Sequence, residues 1–129
     1  MASIDELVAG PETDVLVAEA MGAKPANTME DLMVAVGAPP YYHIDGHVRG
    51  VPNYTTAPSA GRIVVTWLQS LYYNVKMWSD GQEWWVVEVV AFLARDDYNH
   101  AQFSAGAETL ELAICRVGLK VAEYERSRG

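Results

Sequence analysis

Between Tyr72 and Tyr124 the chain spells a strand, a turn, a second strand and a helix, and few folds accept that order. From Tyr72 to Trp78, Tyr73, Val75 and Met77 alternate with Asn74, Lys76 and Trp78, the period-two pattern of a strand. Asp80-Gly81 suits a two-residue type I′ turn, which needs positive φ at both positions. The return strand, Glu83 to Ala94, is apolar on both faces apart from Glu88, as expected of a strand covered on both sides. A turn at Arg95 to Asp97 and a third strand from Tyr98 to Ser104 follow. The final helix, Leu110 to about Tyr124, has one stripe of Leu110, Ile114, Val117 and Val121 and a second of Cys115, Gly118 and Ala122. Arg116, Lys120 and Glu123 mark its polar side, and the small residues allow close packing. The expected class is α+β: a three-layer α/β/α sandwich whose small antiparallel sheet of two or three strands is covered by helices on both faces.

Upstream, Ile4 to Ala9 forms a short helical patch that stops at Gly10 and Pro11, and Pro11 suits the first turn of the next helix. That second helix carries Val15, Leu16, Val17, Ala18 and Met21 as its apolar stripe, with Glu12, Asp14 and Glu19 mostly off it and Gly22 as its stop. Thr28, with Glu30 and Asp31 behind it, starts a third helix that runs through Leu32, Met33 and Val36 to Gly37. From Ala38 to Pro58 periodicity lapses while four Pro and three Tyr accumulate, which predicts a long aromatic loop pinned by Tyr41, Tyr42 and Tyr54. Ser59 reads as the N-cap of a helix with Ala60, Ile63, Val64, Trp67 and Leu71 inward and Arg62, Thr66 and Gln69 outward. The tail from Glu125 to Gly129 is expected to fray.

The 129 residues suffice for one domain, spanning 1–129, with one core. Four Trp, seven Tyr and two Phe supply buried area without a disulfide or structural metal. Cys115, the lone cysteine, falls inside an apolar helical pattern and reads as a buried, inert thiol. Seventeen acidic against nine basic residues give a net charge of −8, which repels nucleic-acid backbones but leaves room for a locally positive pocket. The start MASIDELVAG lacks a basic, apolar leader and no run is long enough for a membrane span, so a cytosolic protein is expected.

Catalytic signatures are absent from the sequence: no G-x-S-x-G, phosphate loop, H-E-x-x-H or dinucleotide fingerprint occurs. Glu83 and Glu88 are five apart in a strand and point to opposite faces. His43, Asp45 and His47 offer metal-ligand chemistry in a loop, set against a loop-stabilising role. No metal or cofactor is expected. Two helix starts are better placed to bind. Tyr54, Thr55 and Thr56 precede one helix, and Glu108 and Thr109 precede the other. Their free N–H groups and hydroxyls would hold an anion if the two converge. Arg62 would add charge, and Trp84 or Trp85 would stack on a planar base. For each of these residues the alternative is plain capping or core packing.

Three blocks in order resemble the phage ABA sandwich domain family: LVAEAMG at Leu16 to Gly22, PNYTTAPSAGRIVVTWL at Pro52 to Leu68, and AETLELAICRVGLKV at Ala107 to Val121. Where that family has a Y-S-T-D-like segment this chain has Tyr54, Thr55, Thr56 and Ala57, without the carboxylate. Glu108 stands in the acidic position before Thr109, Leu110 and Glu111 replace an Ala-Pro pair, and the residues between Val87 and Gly106 read as an insertion. The resemblance implies a three-layer fold and viral origin, and no established reaction. On this basis the expected role is a phage-encoded, non-enzymatic binder of a small nucleotide-like ligand, sequestering a signal of host antiviral defence. The apolar content suggests a homo-oligomer. An acidic inhibitor of a host or viral protein, and a metal-dependent hydrolase using His43, Asp45 and His47, are the competing expectations.

Overall fold

The computed structural model describes residues 3–91 and 101–128. Among these the fold is α+β, with two three-stranded antiparallel sheets and four α-helices. A 3₁₀ turn at Ile4–Glu6 leads to α1 (Pro11–Ala20), which opens with Pro11 in its first turn, as expected. Its buried side is Thr13, Asp14, Val17 and Ala18, while Leu16 points outward. Asp14 thus lies on the inner stripe, contrary to the sequence reading, because Thr55 binds its carboxylate there.

After the two-residue strand β1 (Lys24–Pro25), Thr28 caps α2 (Met29–Val34) by accepting a hydrogen bond from the Asp31 amide at 3.1 Å. The helix ends before Val36, whose backbone instead pairs with the strand at Val48 and Gly50. The expected loop between Ala38 and Pro58 in fact contains β2 (Tyr41–Ile44) and β3 (His47–Gly50), an antiparallel hairpin closed by Asp45-Gly46. Both turn residues have positive φ, 52° and 78°, the requirement of a two-residue primed turn. Gly50 is fixed by close approach: a Cβ there would collide with the Ala38 carbonyl oxygen.

The helix α3 (Pro58–Ser70) starts two residues earlier than expected, with Ala57 rather than Ser59 at the N-cap and proline at the first position. It buries Ala60, Gly61, Val64 and Leu68, and Ile63 faces outward. The second sheet has the order β4 (Tyr73–Ser79), β5 (Trp85–Ala91), β6 (Gln102–Ala107). Asp80-Gly81 does not form the expected two-residue turn. Ser79 pairs with Trp85, so five residues make the connection, with positive φ at Gly81 and Glu83. Short polar contacts hold that connection: the Asp80 carboxylate accepts from the Gln82 amide, and Ser79 Oγ from the Gly81 amide. The third strand is described from Gln102 to Ala107; its expected start at Tyr98, the turn at Arg95 to Asp97 and the expected end of the return strand at Ala94 lie outside the described residues.

The final helix α4 (Leu110–Arg128) continues through the expected fraying tail up to Arg128. Tyr124 holds that end, packing on Phe103 at a ring-centroid distance of 5.2 Å. From Leu112 to Gly118 every residue of α4 is buried, so the helix needs cover on more than one side. Sheet strands β5 and β6 cover one side, α3 and α1 the others. This explains the layering. Helices cover the sheet, but α3 and α4 share the face bearing Tyr73, Val87, Val89 and Ala105, and the order is sheet, helix pair, α1. On the opposite face of the sheet Asn74, Lys76, Trp78, Gln102 and Ser104 are exposed. Gly118 permits the close α3–α4 contact, since a Cβ there would sit 3.1 Å from Val64 Cγ1. Among the described residues no helix is long and apolar enough to cross a membrane.

Candidate functional site

The Tyr54 segment reaches the site as a tight turn. Asn53 O accepts from the Thr56 and Ala57 amides, and this reversal launches α3. Tyr54 is turned inward and almost fully buried, at 2% exposure. Thr55 is buried too, but on the opposite errand. Its hydroxyl donates to Asp14 Oδ1 at 2.8 Å and accepts from the Gly10 amide at 3.0 Å, while its own amide also donates to Asp14 Oδ1 at 2.8 Å. Thr55 is a fastener between the start of α1 and the start of α3, not a ligand contact. Thr55→Val keeps the shape but strips a donor from a buried carboxylate and leaves the Gly10 amide unpaired, so a loss of about 2–3 kcal/mol in urea unfolding is expected. Thr55→Ser should restore most of it.

Above Tyr54 lies a cavity of about 560 Å³. Its walls are the end of α1 (Ala18, Met21), the β2–β3 hairpin (His43, Ile44, Asp45, Arg49) and the outer face of α3 (Ser59, Arg62, Ile63, Thr66, Trp67). The Tyr54 hydroxyl has no hydrogen-bond partner among the described residues. Fully enclosed polar side-chain atoms there all have partners, so this hydroxyl keeps some access to solvent, and Tyr54 lines the cavity. Burial pushes the phenol up to about 12, with Asp45 adding to the rise and Arg49 opposing it. The group therefore stays protonated near neutral pH and offers a donor.

Arg49 and Arg62 line the same cavity, and neither forms an ion pair or hydrogen bond among the described residues. The N-cap of α3 has no side-chain bond and the helix's own first turn no acidic residue, so Ser59 brings the positive end of the helix to the cavity, with Glu111 of α4 the nearest acidic side chain behind it. In a chain of net charge −8 this is a local concentration of positive potential. Asp45 lies on the wall as a single opposing carboxylate, and His43 is engaged by Asp31 at 3.2 Å. That bond and the Thr28 contact go with a lowered Asp31 pKa, the Thr28 side-chain hydrogen bond being the larger cause.

A second cavity, about 630 Å³, lies between β3 and the start of α3 and shares Arg49, Pro52 and Ser59 with the first. His47 belongs to this second cavity. In the hairpin register His43 faces Val48 and His47 faces Ile44, so the two imidazoles lie on opposite sides of the ribbon and cannot share a metal. Among the described residues no three His, Cys, Asp or Glu side chains gather to hold one.

The two helix starts do meet. A Cβ on Gly61 would stand 3.4 Å from Glu111 Cγ and 3.7 Å from the Tyr54 carbonyl oxygen, which joins the first turns of α3 and α4. Glu111 occupies that junction, however, and Glu108 and Thr109 are exposed outside both cavities. Thr109 Oγ1 accepts from the Leu112 amide at 3.3 Å, a capping role. Thr56 is exposed and lines neither cavity. Trp85 packs against the core, and Trp84 lies over Gly106, where a Cβ would collide with its indole; neither reaches the cavity. Of the eight residues singled out from the sequence, the structure brings Tyr54 and Arg62 together.

Arg49 and Trp67 complete the site beyond the residues that the sequence pattern singles out. Arg49 lies on a hairpin where a loop is expected from the sequence, although Asp45-Gly46 flanked by Ile44 and Val48 is a turn signal. Trp67 belongs to the apolar stripe of its helix, and its half-burial leaves an edge on the cavity.

Cys115 is fully buried, and burial raises its thiol to about 12, with Asp14 and Glu111 adding to the effect. Both this thiol and the Tyr54 phenol are raised above their unfolded values of 9.0 and 10.0. Their contribution is thus fully present below pH 9 and is lost as pH climbs towards 12. Urea unfolding should give flat stability from pH 7 to 9, then a decline by several kcal/mol that Cys115→Ala and Tyr54→Phe each reduce.

No protein-family model, curated protein or solved structure matches the chain.

Proposed function

We propose that this protein is a non-enzymatic binding protein that captures a small anionic, nucleotide-like ligand in the cavity above Tyr54. The observation that carries this reading is a buried tyrosine, its hydroxyl without a partner among the described residues, lining the same space as two unpaired guanidinium groups. Arg and a neutral phenol are donors suited to phosphate oxygens, and Arg makes two parallel bonds to them. Met21, Ile63 and Trp67 supply the apolar wall against which a planar base can stack. A volume near 560 Å³ falls in the range of small-molecule sites.

The resemblance to phage ABA sandwich domains supports placing that capture in a virus, as sequestration of a nucleotide-derived signal of host antiviral defence in the host cytosol. Stoichiometric binding suffices for such a role, with no chemistry. Self-association belongs to the same proposal, supported by the exposed Met29, Met33, Val34 and Val36 on and after α2. That apolar patch equally favours a second reading, inhibition of a host or viral protein.

Calorimetry with AMP, ADP, ADP-ribose and cyclic dinucleotides separates the readings. Saturable binding, with the ligand recovered intact after the protein is denatured, supports capture. Altered ligand would indicate an enzyme, and no heat from any of them would leave the protein-inhibitor reading.

A further inference from the structure

The positive groups do not lie at the end of the cavity. Arg49 and Ser59 form part of a wall with a second cavity of comparable size behind it, so the charge sits between two spaces. We infer that the two cavities are halves of one bipartite site, and that its ligand is a phosphate or diphosphate diester with an uncharged organic group on each side. This inference rests on the anion-binding reading given above.

The linings support the division. In the first cavity Met21, Ile63 and Trp67 provide apolar and aromatic surface. In the second, Val36, Ala38, Val51 and Ala57 are small or apolar, and Asn53 and His47 supply the polar side chains. Neither Lys nor a second Arg lines the second cavity, so beyond Arg49 it has no fixed positive charge to reward a terminal phosphate. A phosphomonoester would put its doubly charged end into that space unpaired. In a diester each bridging phosphate carries one negative charge, and a neutral group continues past it. The guanidinium of Arg49 and the start of α3 at Ser59 then meet the bridging phosphate, while Tyr54 and Arg62 approach from the first side.

The test compares ADP, a monoester, with two diphosphate diesters, ADP-ribose and diadenosine diphosphate, by calorimetry on the full chain. At least one diester should bind about ten-fold or more tightly than ADP. Thr66→Trp, which fills the first cavity from an exposed position, should weaken all three ligands. Ala38→Trp, which fills the second, should erase the diester advantage while ADP binding persists, and His47→Trp provides the same test at an independent position. Thermal unfolding establishes that each variant folds. Equal affinity for ADP and both diesters overturns the bipartite site but leaves the anion site standing. An advantage that survives both Ala38→Trp and His47→Trp also overturns it. Absence of binding by ADP and by both diesters overturns the anion-binding reading and this inference together.

Discussion

Replacing Arg49 and Arg62 together by Glu is expected to abolish ligand capture without unfolding the protein. Each guanidinium lines the cavity and has no intramolecular partner among the described residues, so its removal orphans nothing. The exchange turns two positive charges into two negative ones beside Asp45. A charge-assisted hydrogen bond contributes about 1.5–3 kcal/mol, so losing two weakens binding by roughly a hundred-fold to twenty-thousand-fold before repulsion is added. Calorimetry with ADP-ribose should detect no binding, while the far-ultraviolet circular dichroism and melting temperature stay near those of the parent. Single Arg→Lys exchanges retain charge but lose the forked geometry, and should fall between.

Arg116 should show the opposite separation, a large loss of stability at a residue remote from the cavity. The sequence pattern put it on the polar side of α4, but it is 7% exposed. Nη1 donates to the Gly106 carbonyl at 2.6 Å, and Nη2 and Nε donate to the Leu7 carbonyl at 2.6 and 3.1 Å. One side chain thus ties the N-terminal segment and the end of β6 to the central helix. Arg116→Met fills similar volume but leaves both carbonyls without that donor, at about 1–3 kcal/mol each. The expected loss of about 3–5 kcal/mol is a large part of an ordinary domain's 5–15 kcal/mol. Urea unfolding of the variant measures it directly. Arg116→Lys should recover less than half, since one ammonium cannot reproduce bonds in two directions.

The helices were legible where capping and period agreed. Thr28 caps α2, and Pro11 opens α1, because a side-chain acceptor and a missing amide act locally. Strand β4 was legible in its period-two alternation and β5 as a short apolar run, yet the turn between them was not. Two Asp-Gly pairs compete in this chain, and the flanking strand register decides which becomes a two-residue turn. Asp45-Gly46 closes directly between paired residues, whereas Ser79 pairing with Trp85 stretches the other connection to five. Buried polar residues were the hardest to place, for the same reason. Asp14, Thr55 and Arg116 are inside because distant partners satisfy them, and pairs up to 109 residues apart leave no local periodicity. The site divides along this line: Tyr54 and Arg62 were read from a helix start, but Arg49 depended on a hairpin whose docking no local pattern announces.

The capture site itself is tested most directly by following backbone amide resonances while ADP-ribose is added to the ¹⁵N-labelled protein. Saturable shifts centred on Arg49, Tyr54, Ser59 and Arg62, and lost in the Arg49→Glu, Arg62→Glu variant, are the predicted result. Shifts centred instead on Trp84, Glu108 and Thr109, or binding unchanged by the double charge reversal, would contradict it.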